Sequence, residues 1–187
     1  SFTIIDHNIF KNKMLNWASR FNIFCFLDNH GYAPDKAAFE CLLGAGSKRS
    51  ILLKPGSAFN SLKDFFDSKP SWLFGHFGYG LKNEVEVLPV RHKDLINFGL
   101  GFFFEPVLVL HLQNNQLTIT SQDTKVHEIF NNIQNEPGEI LPGITAVVNA
   151  KSCISKEEYL NTIKALQQHI LRGDCYEINY CQSFLAK

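Results

Sequence analysis

The chain has 187 residues, 45% of them hydrophobic and 19% charged, enough apolar surface for a sizeable core and too much for wholesale disorder. Its 18 basic and 18 acidic residues cancel, and no run of like charge exceeds two residues, which disfavours electrostatic binding of nucleic acid. No apolar run approaches the length of a membrane span, and the first residues lack a signal-peptide core, so a cytoplasmic protein is expected.

In chain order, Ile9, Phe10, Met14 and Trp17 suggest a short helix over residues 8–19. Phe21 to Leu27 reads as a buried strand, stopped by Asp28-Asn29-His30-Gly31. Phe39–Leu43 and Ile51–Leu53 read as two short strands joined by a Gly-Ala-Gly loop. Asn60 to Ser68 carries Leu62, Phe65 and Phe66 on a short helix closed by Lys69-Pro70. Trp72 to Tyr79 reads as a glycine-broken strand, with His76 as a core histidine rather than a base.

The best hairpin signal lies between 102 and 120. Phe102–Phe104 and Val107–Leu112 are strand-like, Pro106 marks an edge or bulge, and Gln113 to Gln116 turns the chain into Leu117–Thr120. Val126, Ile129, Phe130 and Ile133 fall at helical spacing within 124–133. Residues 134–153, with Pro137-Gly138 and Pro142-Gly143, read as a linker. The expected domains are therefore 1–150 and 151–187, in an α+β fold of mostly antiparallel sheets with peripheral helices. Cys25, Cys41, Cys153, Cys175 and Cys181 are odd in number and never spaced Cys-x-x-Cys. Neither a disulfide framework nor a structural zinc site is expected from them.

The clearest local grammar runs from Ser155 to Phe184. Ser155 and Glu158 form a capping box, Tyr159, Ile163, Leu166 and Ile170 make one helical stripe, and Gly173 suits the left-handed position past the helix end. Residues 175–184 then alternate, with Tyr176, Ile178, Tyr180 and Phe184 on one side and Cys175, Glu177, Asn179 and Ser183 on the other, as a strand would. Asp174 reads as a turn residue rather than an acid or base.

This stretch resembles the start of the chorismate-binding domain in the anthranilate synthase and para-aminobenzoate synthase component I family. The resemblance runs through Gly173, Asp174, Tyr176, Glu177, Ile178, Asn179, Tyr180, Gln182 and Phe184, with Glu177 replacing the usual glutamine. Trp72 to Glu84 is similar to a family segment ending Tyr-Asp-Leu-Lys-Asn-Glu, with Gly80 in place of the common aspartate. Leu42-Leu43-Gly44-Ala45 stands where many members have Leu-Leu-Glu-Ser, part of a tryptophan pocket, and Arg49-Ser50 resembles the basic residue and serine of that pocket.

The resemblance implies conversion of chorismate and ammonia to 4-amino-4-deoxychorismate, a folate precursor, with ammonia from a glutamine amidotransferase subunit. It also implies Mg²⁺ as cofactor. The family's catalytic lysine, Mg²⁺-binding glutamates and substrate-gripping arginine fall beyond residue 187, so no catalytic or metal residue is expected here. Glu177 and Asn179 are candidate walls of the substrate cavity; a polar strand face in a structural sheet is the plain alternative. Leu43, Gly44, Ala45, Arg49 and Ser50 are candidates for an altered second-ligand pocket, against a tight glycine turn. Losing the glutamate and serine removes the acceptors for a tryptophan ammonium, which tilts the expectation toward the para-aminobenzoate branch. Anthranilate formation, or a non-catalytic binding or docking module, are the other readings.

Overall fold

A computed structural model describes residues 1–32, 39–86, 97–121, 125–139 and 148–186. The chain divides into two compact units, Ser1–Leu141 and Pro142–Lys187. The architecture is α+β, with antiparallel pairing throughout the described sheets.

The first unit is built on a six-stranded sheet of order β1-β6-β5-β3-β2, with β4 also on β5. Its strands are β1 (Phe2–Thr3), β2 (Phe24–Asp28), β3 (Cys41–Leu52), β4 (Phe74–Phe77), β5 (Gly101–Gln113) and β6 (Gln116–Ser121). The helices are α1 (His7–Ala18), α2 (Ala58–Asp67), the short α3 (Lys82–Val85) after a 3₁₀ turn at Tyr79–Leu81, and α4 (Val126–Gln134). Asp6 caps α1 by accepting the Ile9 N–H at 3.0 Å. Thr124, counted into the last of these helices from sequence, lies outside the described residues, as do residues 87–96.

Alternation on β3 and β5 sorts side chains to two faces. Leu43, Ala45, Leu108, Leu110 and Leu112 face Met14 and Trp17 of α1 and Ile133 of α4, forming the main core. Leu42, Val109, Phe104 and Phe74 form a second cluster on the other face. A third, Leu53, Ala58 and Leu81, lies beneath α2 with Leu62 and Phe103. β1 closes the far edge: Phe2 pairs with Leu117 and its ring stacks on Phe130, centroids 3.9 Å apart.

Residues 41–52 are one continuous strand, not two strands around a glycine loop. Gly46 adopts φ +68° and the register against β5 shifts between Ser47 and Arg49, so the extra length is absorbed in a bulge. Pro106 sits opposite that irregularity at Ser47, where β4 pairing has ended at Phe104 and β6 pairing has not begun at Leu108. On that side of β5 an N–H at this position would have no ladder partner. The hairpin β5–β6 turns through Asn114 and Asn115, both at positive φ, as a two-residue turn of matching twist requires.

Two other expectations change. His76 is exposed and its ring meets that of Phe98 at a tilt, centroids 4.5 Å apart; it is not a core histidine. The first part of the supposed linker is packed: Asn16 donates to the Pro137 and Glu139 carbonyls at 2.9 and 2.7 Å, and buried Glu136 pairs with Arg20. Residues 140–147 lie outside the described set.

The second unit holds β7 (Lys151–Ser152), α5 (Lys156–Leu171) and β8 (Phe184–Leu185), β7 and β8 pairing antiparallel. The expected strand over 175–184 does not form; residues 175–183 enter no ladder among the described residues. An alternating pattern supplies faces but not partners, and a lone strand has nothing to hydrogen-bond.

Candidate functional site

The segment that carries the resemblance is shaped by its helix ends. At the start of α5, Ser155 Oγ accepts the Glu158 N–H at 3.1 Å while Glu158 accepts the Ser155 N–H, a complete capping box. At its end Gly173 takes φ +83°. The Asp174 N–H donates to His169 O and the Gly173 N–H to Ile170 O, both at 3.0 Å, which makes a Schellman motif. The Asp174 carboxylate accepts from Arg172 and lies 2.7 Å from His169 Nδ1. The His169 hydrogen bond, then that of Arg172, holds the Asp174 pKa below the usual carboxylate value. Asp174 is thus tied into the helix end as a turn residue.

Beyond it the chain takes up no regular element until β8. Glu177 and Asn179 are exposed, two residues apart, and the Tyr180 ring stacks on Tyr159 of α5 with centroids 5.3 Å apart. The stripe of α5 is only half-buried at Tyr159, Ile163 and Leu166, and Ile170 is exposed.

The residues expected to line a second-ligand pocket do not converge. Leu43 and Ala45 are buried in the main core. Gly44 faces the other way, and a Cβ there would stand 2.8 Å from two ring carbons of Phe74. Phe74 therefore fills the volume that a glutamate at this position would need. Ser50 is exposed and pairs with Phe104. Arg49 is fully engaged: Nε donates to Glu105 at 2.7 Å, Nη1 to Phe65 O and Ser68 Oγ, Nη2 to Lys69 O, and the guanidinium lies 4.2 Å from the Phe65 ring centre. It fastens the end of α2 to the sheet.

Glu105 is the site residue that sequence reasoning passed over. It is 4% exposed and meets Arg49 at 2.7 Å, Lys69 at 3.5 Å and Lys48 at 3.8 Å. The Arg49 hydrogen bond, helped by the lysines, outweighs burial and lowers its pKa. The available signal was the acid itself, the one charge inside Phe102-Phe103-Phe104-Glu105-Pro106. Beside it opens a cavity of about 260 Å³ lined by Lys48, Lys69, Ser71, Trp72 and Glu105 among others. A larger cavity of about 790 Å³ lies between α1 and β2, with the Lys11–Asp28 pair, 2.7 Å apart, in its wall. Burial works to raise the Asp28 pKa, but the Lys11 hydrogen bond and the His30 N–H outweigh it and hold it low.

The chain matches the chorismate binding enzyme family over residues 32–187. It belongs to that family. Two relatives are each named aminodeoxychorismate synthase component 1. The protein from Klebsiella aerogenes is 27% identical over 115 residues and that from Escherichia coli strain K12 is 25% identical over 115. Each match takes in 60% of this chain and 25% of the relative. This chorismate-binding family chain thus aligns with about a quarter of the length of those proteins. Among its described residues no helix is long and apolar enough to cross a membrane.

Proposed function

We propose that this chain is part of an enzyme that converts chorismate and ammonia to 4-amino-4-deoxychorismate, a folate precursor. Ammonia is supplied by a glutamine amidotransferase subunit, and the enzyme works in the cytoplasm. The observation that carries the reading is the similarity to two relatives bearing the aminodeoxychorismate synthase name, alongside the family match over residues 32–187. Phe74 packed against Gly44 supports it over anthranilate formation under tryptophan control, because no acceptor for an amino-acid ammonium stands there.

In this reading the described residues orient and enclose rather than react. The Schellman end of α5 leads into residues 175–183, whose exposed Glu177 and Asn179 form part of the chorismate cavity wall. Mg²⁺ supplies Lewis-acid stabilisation in such a reaction. Among the described residues no group of three or more His, Cys, Asp or Glu is placed to hold a metal ion. In this reading the metal's ligands are other residues of the enzyme.

The test is a product assay on the full-length protein with chorismate, ammonia and Mg²⁺. The expected product is 4-amino-4-deoxychorismate, with glutamine replacing ammonia only when the amidotransferase subunit is added. Anthranilate as the product overturns the reading, and micromolar tryptophan binding in a calorimetric titration overturns the argument from Phe74.

A further inference from the structure

The cavity beside Glu105 has the chemistry of a ligand site, and its described lining includes none of the residues assigned above to chorismate. Three cations surround one carboxylate, leaving an excess of two positive charges. Arg49 takes the short hydrogen bond, while the Lys69 and Lys48 ammonium groups stand 3.5 and 3.8 Å from Glu105, beyond good hydrogen-bond length. Both lysines line the cavity, and Glu105 is the one acid among its described lining residues. Ser71 Oγ, in the same wall, is buried with no hydrogen-bond partner among the described residues, a state that a ligand oxygen relieves.

The rest of the wall is apolar. Trp72, 55% exposed, stands there with Val109 of the second cluster. A volume of about 260 Å³ lies below the range of roughly 300–1,000 Å³ typical of drug-sized pockets and suits a single ring. An amino acid is disfavoured, because its ammonium would face two lysines and a carboxylate already satisfied by Arg49.

We infer that this cavity binds a single-ring carboxylate, its carboxylate on Lys48, Lys69 and Ser71 and its ring against Trp72. The inference does not rest on the proposed reaction.

The experiment is calorimetric titration of the full-length protein with two probes, benzoate and inorganic phosphate. Benzoate binds at one site, and the double variant Lys48→Gln/Lys69→Gln weakens it at least tenfold, whereas Lys48→Arg retains it. Trp72→Leu weakens benzoate severalfold and leaves phosphate unchanged. Thermal unfolding midpoints verify that the variants, all at solvent-accessible side chains, remain folded. Failure of benzoate to bind overturns the inference, as does binding that survives the double lysine variant, which marks a site elsewhere. Equal binding of the two probes with no effect of Trp72→Leu overturns the assignment of a ring.

Discussion

Gly44 and Phe74 share a volume that admits only one side chain. Adding a methyl at Gly44 places it 2.8 Å from two ring carbons of Phe74, which is itself buried between Leu42 and Phe104 and has little room to give. Gly44→Ala is expected to destabilise the protein by about 1–3 kcal/mol through overpacking. The double variant Gly44→Ala/Phe74→Leu recovers most of that loss. Urea unfolding midpoints of the three variants measure both effects; an unchanged midpoint for Gly44→Ala would mean the ring is not seated there. Cys41 shows the opposite kind of constraint. Burial, with Asp28 nearby, pushes its thiol up to about 12, so it stays protonated and behaves as a small apolar core group.

At the level of elements, helix ends separate strong determinants from weak ones. Ser155 makes both halves of its capping box, whereas Ser57, before α2, makes no side-chain cap bond. Ser155→Ala should cost about 1 kcal/mol and Ser57→Ala less than about 0.5 kcal/mol. Thermal unfolding followed by far-ultraviolet circular dichroism resolves the pair, and equal losses would contradict the assignment. These caps were legible because their chemistry spans three residues. So were the four longer helices, the Asn-Asn hairpin turn and the α+β class. Strands were harder, because a strand is defined by its neighbour. Gly44-Ala45-Gly46 looks like a turn in isolation, yet pairing of Gly44 and Ala45 with β2 on one side and β5 on the other keeps it within one strand. Cys175 to Ser183 looks like a strand, yet has no ladder partner among the described residues. The cavity beside Glu105 escaped for the same reason. It depends on a bulge that brings Lys48 beside a residue of β5 more than fifty positions away.

For the molecule as a whole, acid is the informative perturbant. Asp28, Glu105 and Asp174 all have folded-state pKa values below their ordinary ones. Their stabilising contribution is therefore complete above the unfolded values of about 3.9 for Asp and about 4.3 for Glu, and is lost as pH falls through the lowered folded values. The urea midpoint should hold steady, as far as these groups act, from pH 8 to 5 and drop below about pH 4. Glu105→Gln should lower the midpoint near neutrality and flatten the acid arm; a variant with an unchanged acid arm would remove Glu105 from this account. The sheet order adds a consequence in time. Phe2 lies 115 residues ahead of its partner Leu117. At synthesis rates of roughly 5–20 residues per second, it waits on the order of 6–23 s before that partner exists. β2–β3 and β5–β6 join partners 3 to 21 residues apart, but the β1 edge is sealed only after nearly two-thirds of these residues have been made. Until then Phe2 and Ile4 are apolar groups without a berth, and the nascent chain has to tolerate them.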